Sequence, residues 1–327
     1  AALEAWLLRR WYGGVAPGPG LRMLSLVYRG LRALHALPWR LGLRRPGRAG
    51  VPVVVVGNLV AGGAGKTPLV IALATELARR GWKPGIVSRG YGRRVRGAVD
   101  VMPDTPPALC GDEPLLLARR TRRPVRVASD RVAAARALAA AGCDLVIADD
   151  GLQHRRLHRD VEVEVVDGER RHGNGRLLPA GPLREPAGRP VDFRVVNGGA
   201  AAAGEWAMLL ATGQAVPVGS GAPRPLGSFA PGPVHAIAGI GNPGRFFSTL
   251  RQAGLQVHEH PFPDHHAYTA AELAFTPVLP RLMTSKDAVK CEGFGLADAW
   301  EVPVQAELPA AFFDALERRL RKDPATP

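Results

Sequence analysis

A glycine-rich segment that ends in Lys and Thr carries the strongest chemical signal in the sequence. It lies between a β-branched run at 51–56 and a helical pattern at about 66–80, and it consists of Gly62, Gly63, Ala64, Gly65, Lys66 and Thr67. Glycines let backbone N–H groups wrap phosphate oxygens, and the N-terminus of the following helix adds positive potential. In such a P-loop the Lys66 ammonium group reaches the β- and γ-phosphates of a nucleotide, and the Thr67 hydroxyl holds Mg²⁺.

The segment departs from the usual P-loop pattern at one position. That pattern has glycine where this chain has Val60, and we expect Gly62 and Gly63 to supply the missing flexibility. An ordinary glycine-rich turn with an accidental lysine is the alternative. The order of strand, turn, Lys-Thr and helix favours the P-loop.

Two acidic residues end a second apolar run. Asp149 and Asp150 follow the run at 145–148, which is typical of a strand buried inside a parallel sheet. Carboxylates at the carboxyl end of such a strand face the ligand-binding edge of an α/β sheet. This Walker-B arrangement predicts Asp149 and Asp150 as Mg²⁺ ligands, directly or through water, and an Asp-Asp-Gly turn is the alternative.

A third acidic pair precedes an apolar helix. Phosphoryl transfer needs a carboxylate that orients or deprotonates the acceptor hydroxyl, and Asp112 is the candidate. Glu113 is a candidate for the metal shell. A plain helix N-cap is the alternative interpretation of Asp112.

Adjacent histidines follow an aspartate in the last third of the chain. His265 and His266 have no cysteine or third histidine suitably near for a zinc site. A histidine beside a carboxylate can instead tune or relay a proton. A solvated loop remains the alternative.

The elements that must position these residues alternate between strand and helix from 51 to 148. This order predicts βαβ units and a P-loop NTPase-like α/β fold with a doubly wound parallel sheet, followed by a second, smaller α/β domain. The predicted organisation is a basic helical segment at 1–48, a P-loop kinase core at 49–197, a linker or hinge at 198–232 and a C-terminal α/β domain at 233–327 that closes the active-site cleft. Helices of the last domain are predicted at about 244–253, 269–282 and 309–321.

Composition limits the class of protein. The 327 residues are 46% hydrophobic and 22% charged, which is typical of a globular chain with a sizeable core. No window offers the roughly 18 or more strongly apolar residues of a membrane span. Arg9 and Arg10 interrupt the apolar run that a secretory signal would need. Three widely spaced cysteines form no disulfide framework, so a reducing compartment is expected.

The net charge of +14 favours anionic partners such as phosphates, acidic lipids or nucleic acid. Only five basic residues are lysines, so a lysine inside a motif carries more weight than an arginine. Within the basic segment 1–48, apolar residues recur at helical spacing with tryptophans nearby, and a helix of this kind can lie in an anionic membrane surface. An ordinary helix docked on the core, with solvated arginines, is the alternative.

Two competing functions are disfavoured by the residues. A nucleic-acid-binding protein needs arginines interleaved with aromatic residues, and aromatics make up only 6% of this chain. Dimerising P-loop ATPases of the switch or partitioning class carry a second lysine in K-G-G-x-G-K, where this chain has Ala61. We therefore expect no nucleic-acid partner, and no obligate protein partner is evident.

Taken together, the motifs resemble those of the tetraacyldisaccharide 4'-kinase family, the lipid A 4'-kinases of Gram-negative bacteria. The matching stretches occur in the family's order and are VGNLVAGGAGKTP (56–68), SRGYG (88–92), GDEP (111–114), DDGLQH (149–154), GNGRLLPAGPLREP (173–186), IGNPGRFF (240–247), PDHHAYT (263–269) and TSKDAVKC (284–291). The resemblance implies ATP- and Mg²⁺-dependent phosphorylation of the 4'-hydroxyl of tetraacyldisaccharide 1-phosphate to give lipid IVA. It also implies a peripheral enzyme on the cytoplasmic face of the inner membrane, which favours the membrane-surface interpretation of the N-terminal segment.

The resemblance also assigns roles to residues. Lys66 and Thr67 match the phosphate and Mg²⁺ positions, and Glu113, Asp149 and Asp150 match an acidic metal and nucleotide cluster. Asp112 matches the proposed base, assisted by a histidine that we place at His265, with His266 as the second choice. Gln153 and His154 match positions that face nucleotide or substrate. Ser285 stands where the family's T-E-K-D motif has Glu, which leaves the role of that loop open.

Overall fold

Two β-sheets and their covering helices make up this computed structural model, which describes residues 2–93 and 95–321. The helices are α1 (Ala2–Tyr12), α2 (Pro19–Arg40), α3 (Lys66–Arg79), α4 (Pro107–Cys110), α5 (Asp112–Thr121), α6 (Arg131–Ala140), α7 (Pro243–Gln252), α8 (Ser285–Cys291) and α9 (Ala310–Arg321). The strands are β1 (Val53–Gly57), β2 (Pro84–Ser88), β3 (Val99–Val101), β4 (Val125–Val127), β5 (Leu145–Asp149), β6 (Val161–Asp167), β7 (Phe193–Asn197), β8 (Glu205–Thr212), β9 (Val216–Pro217), β10 (Pro233–Ala238), β11 (Gln256–Pro261), β12 (Arg281–Thr284), β13 (Ala299–Val302) and β14 (Val304–Glu307).

The larger sheet has nine strands in the order β14-β8-β7-β6-β1-β5-β2-β4-β3. Its strands pair in parallel except at the two edges, where β14 and β3 run antiparallel to their neighbours. The apolar residues of β1 and β5 are buried, as their continuous apolar runs predict. Helices α3, α5 and α9 pack on one face and α6 on the other. The predicted doubly wound α/β fold is therefore confirmed.

The register of the two central strands explains where the chemistry lies. Val56 of β1 pairs in parallel with Asp149 at the end of β5. The loop that follows β1 leads into α3 at Lys66. The P-loop and the acidic pair consequently leave the same carboxyl edge of the sheet, where α/β folds bind their ligands.

The smaller sheet has five strands in the order β11-β10-β12-β13-β9. Four of them are parallel, and the short β9 pairs antiparallel with β13. Helix α7 contributes Phe246, Phe247 and Leu250 to its core. This is the second, smaller α/β unit that the sequence predicts, although its limits differ.

The chain crosses between the sheets twice, which changes the predicted boundaries. Segment 198–232, predicted as a linker, contains β8, which pairs in parallel with β7 of the larger sheet. After β13 the chain returns, because β14 pairs with β8 and α9 packs Phe312 against Phe193 and Trp206, each at 5.6 Å between ring centroids. The smaller unit therefore does not extend to 327. Residue 1 and residues 322–327 of the predicted terminal segments lie outside the described residues.

One predicted helix is wrong. The interval 269–282 contains only the short 3-10 turn Ala271–Leu273, and β12 begins at Arg281. Pro277 and Pro280 interrupt the interval, and a proline inside a helix removes a hydrogen bond and clashes with the preceding turn. The neighbouring predictions at 244–253 and 309–321 correspond to α7 and α9.

The N-terminal helices are anchored by polar contacts while their apolar stripe stays exposed. Trp11 Nε1 of α1 donates to the Pro179 carbonyl at 3.0 Å, and Tyr28 Oη of α2 donates to the Arg184 carbonyl at 2.9 Å. The α2 stripe is exposed, with fractions of 62% at Leu31 and 65% at Leu34. Helix α2 is thus docked on the rest of the chain, as the alternative expects, but most of its apolar stripe faces outward. None of the described helices combines the length and apolar character needed to cross a membrane.

Candidate active site

A cavity of about 1000 Å³ lies where the two sheets meet. Its wall includes the P-loop, the end of β5 and the start of α5 from the larger sheet. The smaller sheet contributes the loop after β10, the segment around His265 and the start of α8. The cavity therefore gathers motifs that lie far apart in the sequence.

The structure shows how the P-loop accommodates Val60 at the position where the usual pattern has glycine. Val60 is extended and forms an isolated bridge with Leu183, so this position needs no left-handed backbone. The left-handed turns fall at Gly62, with φ 111°, and at Gly65, with φ 94°. A Cβ at Gly65 would lie 2.3 Å from Asn197 Nδ2, closer than contact allows. The expected flexibility thus comes from Gly62 and Gly65; the φ of Gly63 is not positive.

A buried asparagine, which the sequence did not single out, holds the loop together. Asn58 Nδ2 donates to the Gly62 carbonyl at 3.0 Å, and Asn58 Oδ1 accepts from Lys66 Nζ at 3.2 Å. Gln153 Nε2 donates to the Asn58 carbonyl at 3.1 Å. Asn58 thereby fixes both the turn and the lysine that the P-loop needs. Its position directly after β1 was the available signal.

The acidic pair of β5 occupies two different environments. Asp149 is buried, and burial together with the charges of Glu113 and Asp150 raises the pKa of Asp149 to about 7. Asp150 lies between cations, with Oδ1 3.5 Å from Lys66 Nζ and Oδ2 3.6 Å from Arg184 Nη1. Burial raises the pKa of Asp150, but these cations outweigh it and leave the pKa below its ordinary value.

The residues fit a Mg²⁺ ion that arrives with phosphates. Among residues 2–93 and 95–321, no three His, Cys, Asp or Glu side chains form a ready-made metal cluster. Mg²⁺ in kinases needs none, because one or two carboxylates, phosphate oxygens and water complete its shell. Asp150 Oδ1 is buried without a hydrogen-bond partner in the described structure, and Thr67, Glu113 and Asp149 share its cavity.

Asp112 and His265 come together across the two sheets. His265 Nδ1 lies 3.4 Å from Asp112 Oδ2, and the His265 ring packs against Tyr91 at 4.8 Å between centroids. Burial raises the pKa of Asp112, but the His265 hydrogen bond and the charges of Lys286 and Lys290 outweigh it, so the pKa is lowered. The Asp112 hydrogen bond outweighs burial at His265 and raises the pKa of the imidazole.

The second histidine points elsewhere. His266 Nε2 lies 3.1 Å from Glu272 Oε1. Of the two adjacent histidines, the structure thus brings His265 to Asp112. His265 has φ 60°, a left-handed conformation that non-glycine residues seldom adopt and that is often found at functional sites.

Two lysines of α8 complete the charge balance around Asp112. Lys286 forms an ion pair with Glu113, and Lys290 Nζ lies 3.8 Å from Asp112 Oδ2. Burial lowers the pKa of Lys286, but Glu113 and Asp264 outweigh it and raise the pKa. The acid cluster of the larger sheet therefore meets cations supplied by the smaller one.

This constellation can be compared with known proteins. The family model described as tetraacyldisaccharide-1-P 4'-kinase matches residues 19–321. The chain belongs to that family. It is 54% identical over 329 residues to the tetraacyldisaccharide 4'-kinase of Xanthomonas euvesicatoria pv. vesicatoria and 51% identical over 325 residues to that of Xylella fastidiosa, with 95% of both chains covered in each case.

A solved structure of the tetraacyldisaccharide 4'-kinase family agrees with the architecture. The crystal structure of LpxK from Aquifex aeolicus in complex with ATP matches with a TM-score of 0.73 and 28% identity. The match covers 91% of this chain and 97% of that one. The resemblance drawn from the motifs is therefore confirmed.

Not every predicted site residue of this family member lines the cavity. Asp112, Gln153 and His154 are absent from its wall, within the part of the chain that the structure describes. Gln153 acts on the P-loop through Asn58, while burial and nearby arginines lower the pKa of His154 to about 4. Direct contact of these two residues with nucleotide or substrate stays a prediction.

Proposed function

We propose that this chain is an ATP-dependent kinase that phosphorylates the 4'-hydroxyl of tetraacyldisaccharide 1-phosphate to give lipid IVA. The observation that carries the proposal is the 3.4 Å approach of Asp112 to His265, which lines the P-loop cavity together with Glu113, the residue after Asp112. A carboxylate beside a phosphate-binding loop is the arrangement that hydroxyl phosphorylation needs. Membership of the tetraacyldisaccharide 4'-kinase family supports tetraacyldisaccharide 1-phosphate as the acceptor.

In the proposed reaction, the 4'-oxygen forms a bond to the γ-phosphorus as the bond to the β–γ bridging oxygen breaks. ADP leaves with that electron pair, and the hydroxyl proton passes to Asp112. A loose transition state places charge on the equatorial oxygens before the hydroxyl proton must leave. A carboxylate with a lowered pKa can therefore serve as the acceptor, and His265 orients it.

The cations of the P-loop act on the phosphates. Lys66, whose Nζ lies 3.2 Å from Asn58 Oδ1 and 3.5 Å from Asp150 Oδ1, exchanges these oxygens for those of the β- and γ-phosphates. Backbone N–H groups of 62–67 add further donors. Bound Mg²⁺ would neutralise phosphate charge, with Thr67, Glu113, Asp149 and Asp150 as the residues that hold it or its water.

We further propose that α2 lies on the cytoplasmic face of the inner membrane. Its exposed stripe gives an apolar face, and segment 1–48 is strongly basic. Each Lys or Arg near an anionic surface contributes about 1 kcal/mol of attraction. A second cavity of about 440 Å³ runs from Leu7 and Trp11 of α1 to Gly63 and Asp264, beside the site.

Transfer of labelled phosphate tests the proposal. The wild-type protein, Lys66→Ala and Asp112→Ala are incubated in detergent with γ-labelled ATP and tetraacyldisaccharide 1-phosphate. We expect label in the lipid from the wild type only, and Asp112→Ala should still bind ATP. Label that appears only in free phosphate, unchanged by lipid, would contradict the proposal.

A further inference from the structure

The TSKDAVKC motif contains a lysine to which the proposed reaction gives no task. Lys286 belongs to the smaller sheet's helix α8, yet it lines the P-loop cavity and forms an ion pair with Glu113 of the larger sheet. Its side chain is 20% exposed. A charged group at the meeting of the two sheets thus faces the space that the phosphates must fill.

The backbone that carries Lys286 is firmly held. Asp287 is buried, and its Oδ2 accepts from the Gly239 N–H at 2.9 Å and from Thr284 Oγ1 at 2.6 Å. Its Oδ1 accepts from Tyr268 Oη at 3.0 Å. These bonds tie the first turn of α8 to the end of β10 and aim Lys286 into the cavity. Ser285, where the family motif has Glu, takes no part in them.

The partner of Lys286 is itself a residue that nucleotide binding should engage. Glu113 touches Lys286, and Lys66 is near enough for its charge to lower the pKa of Glu113 as well. Glu113 therefore has a cation from the smaller sheet in direct contact and a more distant one from the larger sheet. If Glu113 were to help hold a bound Mg²⁺, Lys286 would lose the carboxylate that it contacts, and an unpaired buried cation is costly.

We propose that Lys286 contacts the γ-phosphate of bound ATP, exchanging Glu113 for a phosphate oxygen. This inference rests on the proposed function and adds a catalytic residue to it. The lysine neutralises charge that develops on the transferred group, as an arginine supplied in trans does in GTPases. Because Lys286 belongs to the smaller sheet's helix α8, its contact with the γ-phosphate requires both sheets to face the same nucleotide.

The contact predicts a difference between ATP and ADP. Lys286→Met should weaken ATP binding about 10- to 100-fold, the range for loss of a charge-assisted hydrogen bond, while ADP binding changes less than about twofold. Affinities are measured by calorimetry with Mg²⁺ and without lipid. The matched control is Lys83→Met. Lys83 is exposed and directly precedes β2, at the end of the strand away from the cavity, so this variant should change neither affinity. Lys286→Arg keeps the charge and should retain part of the ATP preference.

Making the same change in a Glu113→Gln protein separates a direct phosphate contact from an effect through Glu113. It also avoids leaving an unpaired carboxylate that could destabilise the fold. Lys286→Met alone leaves Glu113 without its cation, whereas the double variant with Glu113→Gln leaves a neutral pair. If Lys286 touches the γ-phosphate, the double variant loses ATP affinity relative to Glu113→Gln by about the same factor. If Lys286 only neutralises Glu113, the lysine has no effect in that background, and the inference is overturned.

Turnover supplies an independent readout. Lys286→Met should lower kcat for lipid phosphorylation at saturating ATP and leave KM for the lipid nearly unchanged. If Lys286→Met weakens ATP and ADP binding equally, and the wild-type protein still labels the lipid, the γ-phosphate contact is refuted and the proposed function stands. Absence of lipid labelling by the wild type would instead refute the proposed function.

Discussion

Replacing His265 with Asn offers a sharp test of the Asp112–His265 pair. Asn tolerates the left-handed φ of 60° at this position better than most residues, so the substitution removes the imidazole with little backbone cost. It also removes the partner 3.4 Å from Asp112 Oδ2. Asp112 then keeps Lys286 and Lys290 as its nearby cations.

The expected loss of activity follows from the contact removed. A hydrogen bond to a charged group contributes about 1.5–3 kcal/mol, and the 3.4 Å ion pair between His265 and Asp112 should contribute near the lower limit. Each 1.4 kcal/mol is a factor of ten in rate, so kcat should fall about 10-fold with ATP affinity unchanged.

The pH profile should move in a defined direction. His265 lowers the pKa of Asp112, so its removal raises that pKa. The transfer needs the Asp112 carboxylate, and the acid limb of kcat/KM should therefore shift to higher pH. The assay is labelled phosphate transfer to lipid across the pH range.

The neighbouring histidine provides a matched control. His266 contacts Glu272 rather than Asp112, so His266→Asn should keep the wild-type acid limb and most of the activity. Equal losses in both variants, or an acid limb that His265→Asn leaves in place, would refute the assigned pairing.

Three further predictions follow from other parts of the molecule. Leu31→Glu with Leu34→Glu, on the exposed face of α2, should abolish binding to anionic vesicles without lowering Tm; retained sedimentation with vesicles would count against the membrane face. Gly65→Ala should remove most ATP binding, since its Cβ would lie 2.3 Å from Asn197 Nδ2, and wild-type calorimetric affinity would disprove this. Phe312→Ala should cost about 3–5 kcal/mol in chemical unfolding, because α9 fills the core of the larger sheet, and a cost below about 1 kcal/mol would contradict that packing.

The elements around the P-loop were predictable because local pattern and burial agree there. The apolar runs of β1 and β5 are buried in the structure, as is usual for parallel strands inside a sheet. Strand β8 escaped prediction although 206–211 is a continuous apolar run, because the surrounding segment is rich in Ala, Gly and Pro and was interpreted as a linker. The return of β14 to the larger sheet is a long-range pairing with β8, which no local pattern encodes.

The residues of the site likewise divide into those that local sequence predicts and those that only the tertiary fold brings together. Lys66, Asp112 and Asp149 stand out because their residue types follow strands or open helices in sequence. The ion pair between Glu113 and Lys286 joins residues 173 positions apart, and only the tertiary fold reveals it. Asn58 was missed because an asparagine after a strand is equally typical of a turn, and its three contacts exist only once the P-loop has formed.

The two crossings between the sheets make the smaller unit an insertion with adjacent ends. The Gly213 N–H donates to the Pro303 carbonyl at 2.9 Å, so the chain leaves and re-enters the larger sheet at almost the same point. A short turn placed there would bridge the gap and leave all nine strands of the larger sheet in place. Truncation after 197, by contrast, would remove β8, β14 and α9 and open the core beneath α3. The nucleotide-binding unit is therefore continuous in space but divided in sequence, and it should be separable from its partner by excision rather than by cutting the chain in two.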